Sequence, residues 1–165
     1  MTEIVDKKML MDEFEKASTY LEAILSGKTT LAKAAKVSTQ ELDELFTKAQ
    51  TALQLEDFPK AEELFTTLLV LNNKDTRAAM GLAGALEGQA KYEFAMPVYF
   101  LVLATTLYDP VAPFRAGICL MHLGKKEEAI KLFQLAADCK GEIKNPKKQV
   151  YIEKANGMLK ALAAN

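Results

Sequence analysis

Phe58-Pro59-Lys60-Ala61-Glu62-Glu63-Leu64-Phe65 recurs as Tyr92-Glu93-Phe94-Ala95-Met96-Pro97-Val98-Tyr99, and again as Lys126-Glu127-Glu128-Ala129-Ile130-Lys131-Leu132-Phe133. The alanines Ala61, Ala95 and Ala129 are separated by two intervals of 34. The aromatics Phe65, Tyr99 and Phe133 keep the same interval, as do the small residues Ala49, Ala83 and Gly117 one helix earlier. Three offsets in register across three copies predict an all-α array of helix pairs. Small residues let the paired helices approach closely, and the aromatic fills the gap to the next pair.

Capping signals agree with that frame. Ser38-Thr39-Gln40-Glu41 is a capping box that opens the first pair. Asp75 caps the second, and Asp109-Pro110 sets a carboxylate before a proline at the start of the third. Pro59 suits the start of the second helix of pair one, and Gly124 marks the turn of pair three. Pro97 falls inside a predicted helix, where a kink or a late helix start is expected.

The expected organisation is one domain over 1–165, with repeats over 42–141 (about 42–75, 76–109 and 110–143). An N-terminal helical segment is expected over 5–37 and a C-terminal capping helix over 146–164. Leu10, Phe14, Ala17, Leu21 and Ile24 follow a three-and-four spacing, so the first segment is an amphipathic helix, either a cap or a dimerisation element. Tyr151, Ala155, Met158 and Leu162 form the stripe of the last helix, which hides the apolar end of the array.

The rest of the chain excludes several classes. With 21 basic and 22 acidic side chains the net charge is −1, so no basic excess points to nucleic acid or an anionic membrane surface. No run approaches the roughly 18 apolar residues of a membrane span, so stable membrane insertion is not expected. The N-terminus breaks at Asp12-Glu13 and does not read as a signal peptide. A reducing cytosol is therefore expected, with Cys119 and Cys139 as buried thiols. One histidine and two cysteines do not make the usual four-ligand zinc site, and no cofactor is expected. His122 has no partner for a catalytic triad, and Gly81 to Gly84 is helical by register, not a phosphate loop. The protein is not expected to be an enzyme.

The 34-residue helix–turn–helix pattern resembles the tetratricopeptide repeat, although Asn73, Leu107 and Gly141 stand where that repeat usually ends in proline. The resemblance implies a right-handed superhelix of three helix pairs whose first helices line a concave face. The positions that would point inward are Asp43, Phe46, Gln50, Leu53 and Gln54 in the first pair. Arg77, Met80, Gly84, Glu87 and Gly88 follow in the second, and Val111, Phe114, Ile118, Met121 and His122 in the third. That face is apolar for a surface and marks a binding site for an apolar partner. A carboxylate clamp of the chaperone-tail-binding kind is not expected, because Phe46, Gln50, Gly81 and Val111 stand where it needs Lys or Asn, and only Arg115 fits.

Asp75 to Ala85 and Tyr108 to Cys119 carry the match further. Together with the Gly27 to Leu31 segment they resemble the class II chaperones of bacterial type III secretion, over nearly the whole chain. The resemblance implies a bacterial cytoplasmic chaperone that binds hydrophobic translocator proteins through an extended segment in the groove. The amphipathic stripe Leu10, Phe14, Ala17, Leu21 and Ile24 makes a homodimer a further expected partner. The alternatives are a tetratricopeptide adaptor of an unrelated complex, and a chaperone that also regulates transcription of secretion genes.

Overall fold

The computed structural model describes residue 26 and residues 29–106, 109–139 and 145–164. Among these, every regular element is helical. A short α1 (Leu31–Ala34) precedes three helix pairs: α2 (Thr39–Gln54) with α3 (Phe58–Leu71), α4 (Thr76–Gly88) with α5 (Tyr92–Thr105), and α6 (Val111–His122) with α7 (Lys126–Ala137). α8 (Pro146–Ala163) closes the array. From α2 onward each helix packs on the next, and α8 also reaches α6. The stripe Leu10, Phe14, Ala17, Leu21 and Ile24 lies outside the described residues.

The caps form as their residue types require. Ser38 accepts from the Glu41 amide at 3.1 Å while Glu41 Oε2 accepts from the Ser38 amide at 2.8 Å. Asp57 caps α3 with Pro59 in its first turn. Asp75 accepts from the Arg77 and Ala78 amides. Asp109 accepts from the Val111 amide at 3.0 Å, and Asn145 caps α8 just before Pro146.

The turns inside the pairs repeat with the same period as the sequence. Glu56, Ala90 and Gly124 all have positive φ, at 59°, 56° and 72°. In each turn the amide one residue later reaches back five residues: Asp57 to Ala52, Lys91 to Leu86, and Lys125 to Leu120, all at 2.9 Å. This is a left-handed helix stop, in which only glycine avoids the steric cost of a Cβ. Gly124 meets that requirement; Glu56 and Ala90 do not. Ala90→Gly is therefore expected to raise the unfolding free energy by about 0.5–1 kcal/mol, against the usual direction of an Ala→Gly change. Chemical denaturation of the two proteins checks it.

Pro97 neither delays nor ends its helix: α5 begins at Tyr92 and runs on to Thr105. The proline removes only the hydrogen bond to the Glu93 carbonyl, and both residues are exposed, so water reaches that carbonyl. α5 is apolar on every side. Ala95, Met96, Tyr99 and Val102 are buried, while Phe94, Phe100 and Leu101 are exposed.

The core forms two clusters. Around pairs two and three, Tyr99, Phe133 and Cys119 are buried among Ala83, Ala95, Ala112, Ala116 and Ala129. Around pair one, Phe65 and Leu68 are buried with Ala49, Ala52, Ala61 and Ala78. The alanines and glycines form sockets for rings. A Cβ added at Gly81 would clash with the Phe65 ring, and one added at Gly117 would lie 2.6 Å from the nearest atom of the Phe133 ring. Cys119 and Cys139 are both free and buried, and burial pushes the Cys119 thiol up to about 12. Such a thiol is inert at neutral pH.

Candidate functional site

The first helices of the three pairs converge on a cavity of about 520 Å³. α2 contributes Phe46, Gln50 and Leu53; α4 contributes Arg77, Met80, Gly81 and Gly84; α6 contributes Val111 and Arg115. The floor comes from the second helices, with Phe65 of α3 and Tyr99 and Val102 of α5. Tyr151 of α8 closes one end. A second cavity of about 360 Å³ is lined by Gln54, Phe58, Glu87, Gly88, Tyr92 and His122, and shares Leu53, Gly84 and Arg115 with the first. The two form one groove with a common boundary.

The walls are held from behind. Phe46 meets Phe65 edge to face at 5.9 Å, and the Arg77 guanidinium lies over the Phe46 ring at 4.8 Å. Arg77 is fixed there by Asp75, with Nε donating to Oδ1 at 3.1 Å and Nη2 donating to Oδ2 at 2.9 Å. His122 stacks on Tyr92 with the rings nearly parallel at 4.3 Å. Lys148 of α8 donates to Asp109 at 2.8 Å, tying the last helix to the start of α6.

Glu87 is the polar centre. The Tyr99 hydroxyl donates to its Oε2 at 2.6 Å and Arg115 Nη1 donates to its Oε1 at 3.0 Å. These groups come from α5, α4 and α6. Burial first, and then the Glu87 charge, raise the Tyr99 phenol far above its ordinary value, so it remains a donor at every accessible pH.

Asp75 gives the groove rim a pH dependence. Burial pushes its carboxyl up, but the Arg77 hydrogen bond and charge, with the two backbone amides, together hold it below its ordinary 3.8. A carboxyl depressed in the folded state contributes stability above its unfolded value, and that contribution is lost as pH falls through the folded one. Stability is expected to decline below about pH 4 with a slope that Asp75→Asn reduces. Denaturation midpoints from pH 3 to 7 check it.

The structure brings together most of the face expected from the sequence. Phe46, Gln50, Leu53, Arg77, Met80, Gly84 and Val111 open on the first cavity. Gln54, Glu87, Gly88 and His122 open on the second. Asp43 instead lines a shallow surface hollow with Gln40, Glu44, Thr47 and Lys48. The third pair departs more. Phe114 is only 8% exposed and belongs to the core, its ring packed on Phe133 at 5.7 Å and Tyr151 at 5.6 Å. Ile118 and Met121 pack against the same cluster and line neither cavity. The cause is α8, which folds back on α6 and α7 and takes over that part of the face with Tyr151. Tyr99, Asp109, Arg115 and Tyr151 join the groove from positions that the inward-facing pattern does not include.

No group of three or more His, Cys, Asp or Glu side chains suited to a metal exists among the described residues. No helix there is long and apolar enough to cross a membrane.

Comparison with known proteins fits this geometry. The tetratricopeptide repeat family matches residues 46–110. A T3SS complex from Aeromonas hydrophila superimposes with a TM-score of 0.81 at 27% identity, over 88% of this chain and 96% of that one. The type III secretion translocator chaperone SycD of Yersinia enterocolitica superimposes with a TM-score of 0.73 at 26% identity, over 81% of this chain and 98% of that one. This chain is similar in fold and sequence to the tetratricopeptide-repeat chaperones of type III secretion translocators. SycD bound to a peptide of the translocator YopD gives a TM-score of 0.72 at 25% identity, over 78% of this chain and 96% of that one. Among curated proteins, the low calcium response locus protein H of Yersinia pestis is 28% identical over 109 residues. That match spans 66% of this chain and 65% of the relative.

Proposed function

We propose that this protein is a chaperone in the bacterial cytoplasm that holds hydrophobic translocator proteins of a type III secretion system until export. The observation that carries the reading is the two-compartment groove across α2, α4 and α6, whose larger compartment has mainly apolar walls while Gln54, Glu87, Arg115 and His122 make the smaller one more polar. A similar fold, SycD, has been solved with a translocator peptide. The physical logic is mass action. A client destined for a membrane exposes apolar surface early, and covering one segment lowers its free concentration and suppresses aggregation. An extended client segment suits such a groove, with side chains in pockets and main chain hydrogen-bonded.

The protein works by binding alone, without a cofactor. Its second proposed partner is another copy of itself, through the stripe Leu10, Phe14, Ala17, Leu21 and Ile24. SycD itself has been solved in an alternative dimer. Sedimentation of a chain beginning near residue 30 tests this; an unchanged mass clears the stripe of dimerisation. The chaperone reading is tested by co-expression with candidate type III secretion translocators. A soluble complex is expected. Translocators that stay insoluble, with no complex formed, contradict it.

A further inference from the structure

The boundary between the two cavities is built differently from their walls. It consists of Leu53, Gly84 and Arg115, the residues that line both. A Cβ added at Gly84 would find nothing nearer than Leu53 Cδ2 at 4.0 Å, so this stretch of α4 presents bare backbone to open space. The other helix glycines of α4 differ: Gly81 and Gly88 are roofed by the rings of Phe65 and Phe58. Packing explains those two but not Gly84, which occupies a helix interior where glycine costs stability relative to alanine.

Arg115 stands beside it. Its side chain is 42% exposed, and Nη1 is held by Glu87, itself only 13% exposed and fixed by Tyr99. A guanidinium carries five N–H donors, so this anchored group still has donors for the groove. Its charge is already balanced by Glu87. A client carboxylate brought to Arg115 would also meet Glu87, whereas a carbonyl dipole meets an oriented donor without that repulsion. An extended chain crossing from the apolar compartment to the more polar one carries carbonyls that need partners at the boundary.

We propose that Gly84 and Arg115 form a main-chain docking point, where the client backbone lies against bare α4 and one of its carbonyls accepts from the Arg115 guanidinium. This rests on the chaperone reading and adds how the segment is recognised. Recognition at this point is independent of the client side chain, so sequence selectivity comes from the compartments on either side.

The test is calorimetric titration of the translocator segment recovered from the co-expressed complex into the full-length protein, Gly84→Ala and Arg115→Met, with melting curves for each. Gly84→Ala is expected to melt at the same or a higher temperature yet bind about tenfold more weakly, a combination that loss of folding does not produce. Arg115→Met is expected to lose about tenfold as well, the worth of one charge-assisted hydrogen bond. Peptides carrying a single amide-to-ester replacement then locate the carbonyl. One position is expected to weaken binding to the parent protein and to have no further effect on Arg115→Met. If both variants bind as the parent does, or every ester effect is additive with Arg115→Met, the docking point is wrong while the groove reading stands. If Arg115 couples instead to a peptide Asp or Glu side chain, the docking point is equally overturned. If the peptide does not bind the parent protein, the chaperone reading fails, and this inference with it.

Discussion

Phe65→Ala lowers the unfolding free energy by about 3–5 kcal/mol, and Gly81→Ala in the same chain recovers part of that loss. The Phe65 ring is 1% exposed and lies where a side chain at position 81 would stand. Removing the ring leaves a cavity between pair one and pair two, because rigid helices collapse into it only partly. In the parent protein Gly81→Ala drives a methyl into the ring and destabilises by about 1–3 kcal/mol. In the Phe65→Ala background the same methyl enters vacated space and gains the higher helix propensity of alanine, about 1 kcal/mol. The effect of position 81 therefore changes sign with the residue at 65. Denaturant unfolding of the four proteins of the cycle measures that coupling. Additive effects would show that ring and glycine do not share one volume.

Met80→Glu weakens binding of a translocator segment by about 30-fold or more, on the order of 2 kcal/mol, while leaving the helical content intact. Met80 is partly buried in the wall of the larger cavity. A carboxylate there is stripped of water when an apolar client side chain arrives, with no hydrogen-bond partner to repay the loss. Arg77, one turn earlier, is already engaged by both oxygens of Asp75. Unchanged affinity, with the far-ultraviolet spectrum preserved, moves the site off this wall.

Much of the architecture was legible because it is local and periodic. The capping box at Ser38 and Glu41, the carboxylates Asp75 and Asp109, and the 34-residue spacing of Phe65, Tyr99 and Phe133 all act within a turn or a helix pair. The left-handed turns were legible only at Gly124. Glu56 and Ala90 adopt the same conformation without the residue that signals it, because the surrounding turn imposes it. Phe114 shows the limit of carrying a periodic pattern to the end of an array. Its register is that of a groove residue, but the last pair has α8 instead of a further repeat, and α8 covers it. The Glu87, Tyr99 and Arg115 cluster was hidden for another reason. Its members are 12 and 28 residues apart, and a buried tyrosine at a repeat aromatic position reads as filler until its hydroxyl partner is seen.

The central claim, that this groove holds the translocator, is tested most directly by site-specific photocrosslinking during co-expression. Gln50 is exposed and lines the larger cavity, whereas Val70 is 60% exposed on α3 and lines neither cavity. With a photoreactive phenylalanine analogue at position 50, the translocator is expected to crosslink through one short extended segment. With the analogue at position 70, no such product is expected. Crosslinking at 70 and not at 50, with the complex still formed, would contradict the account.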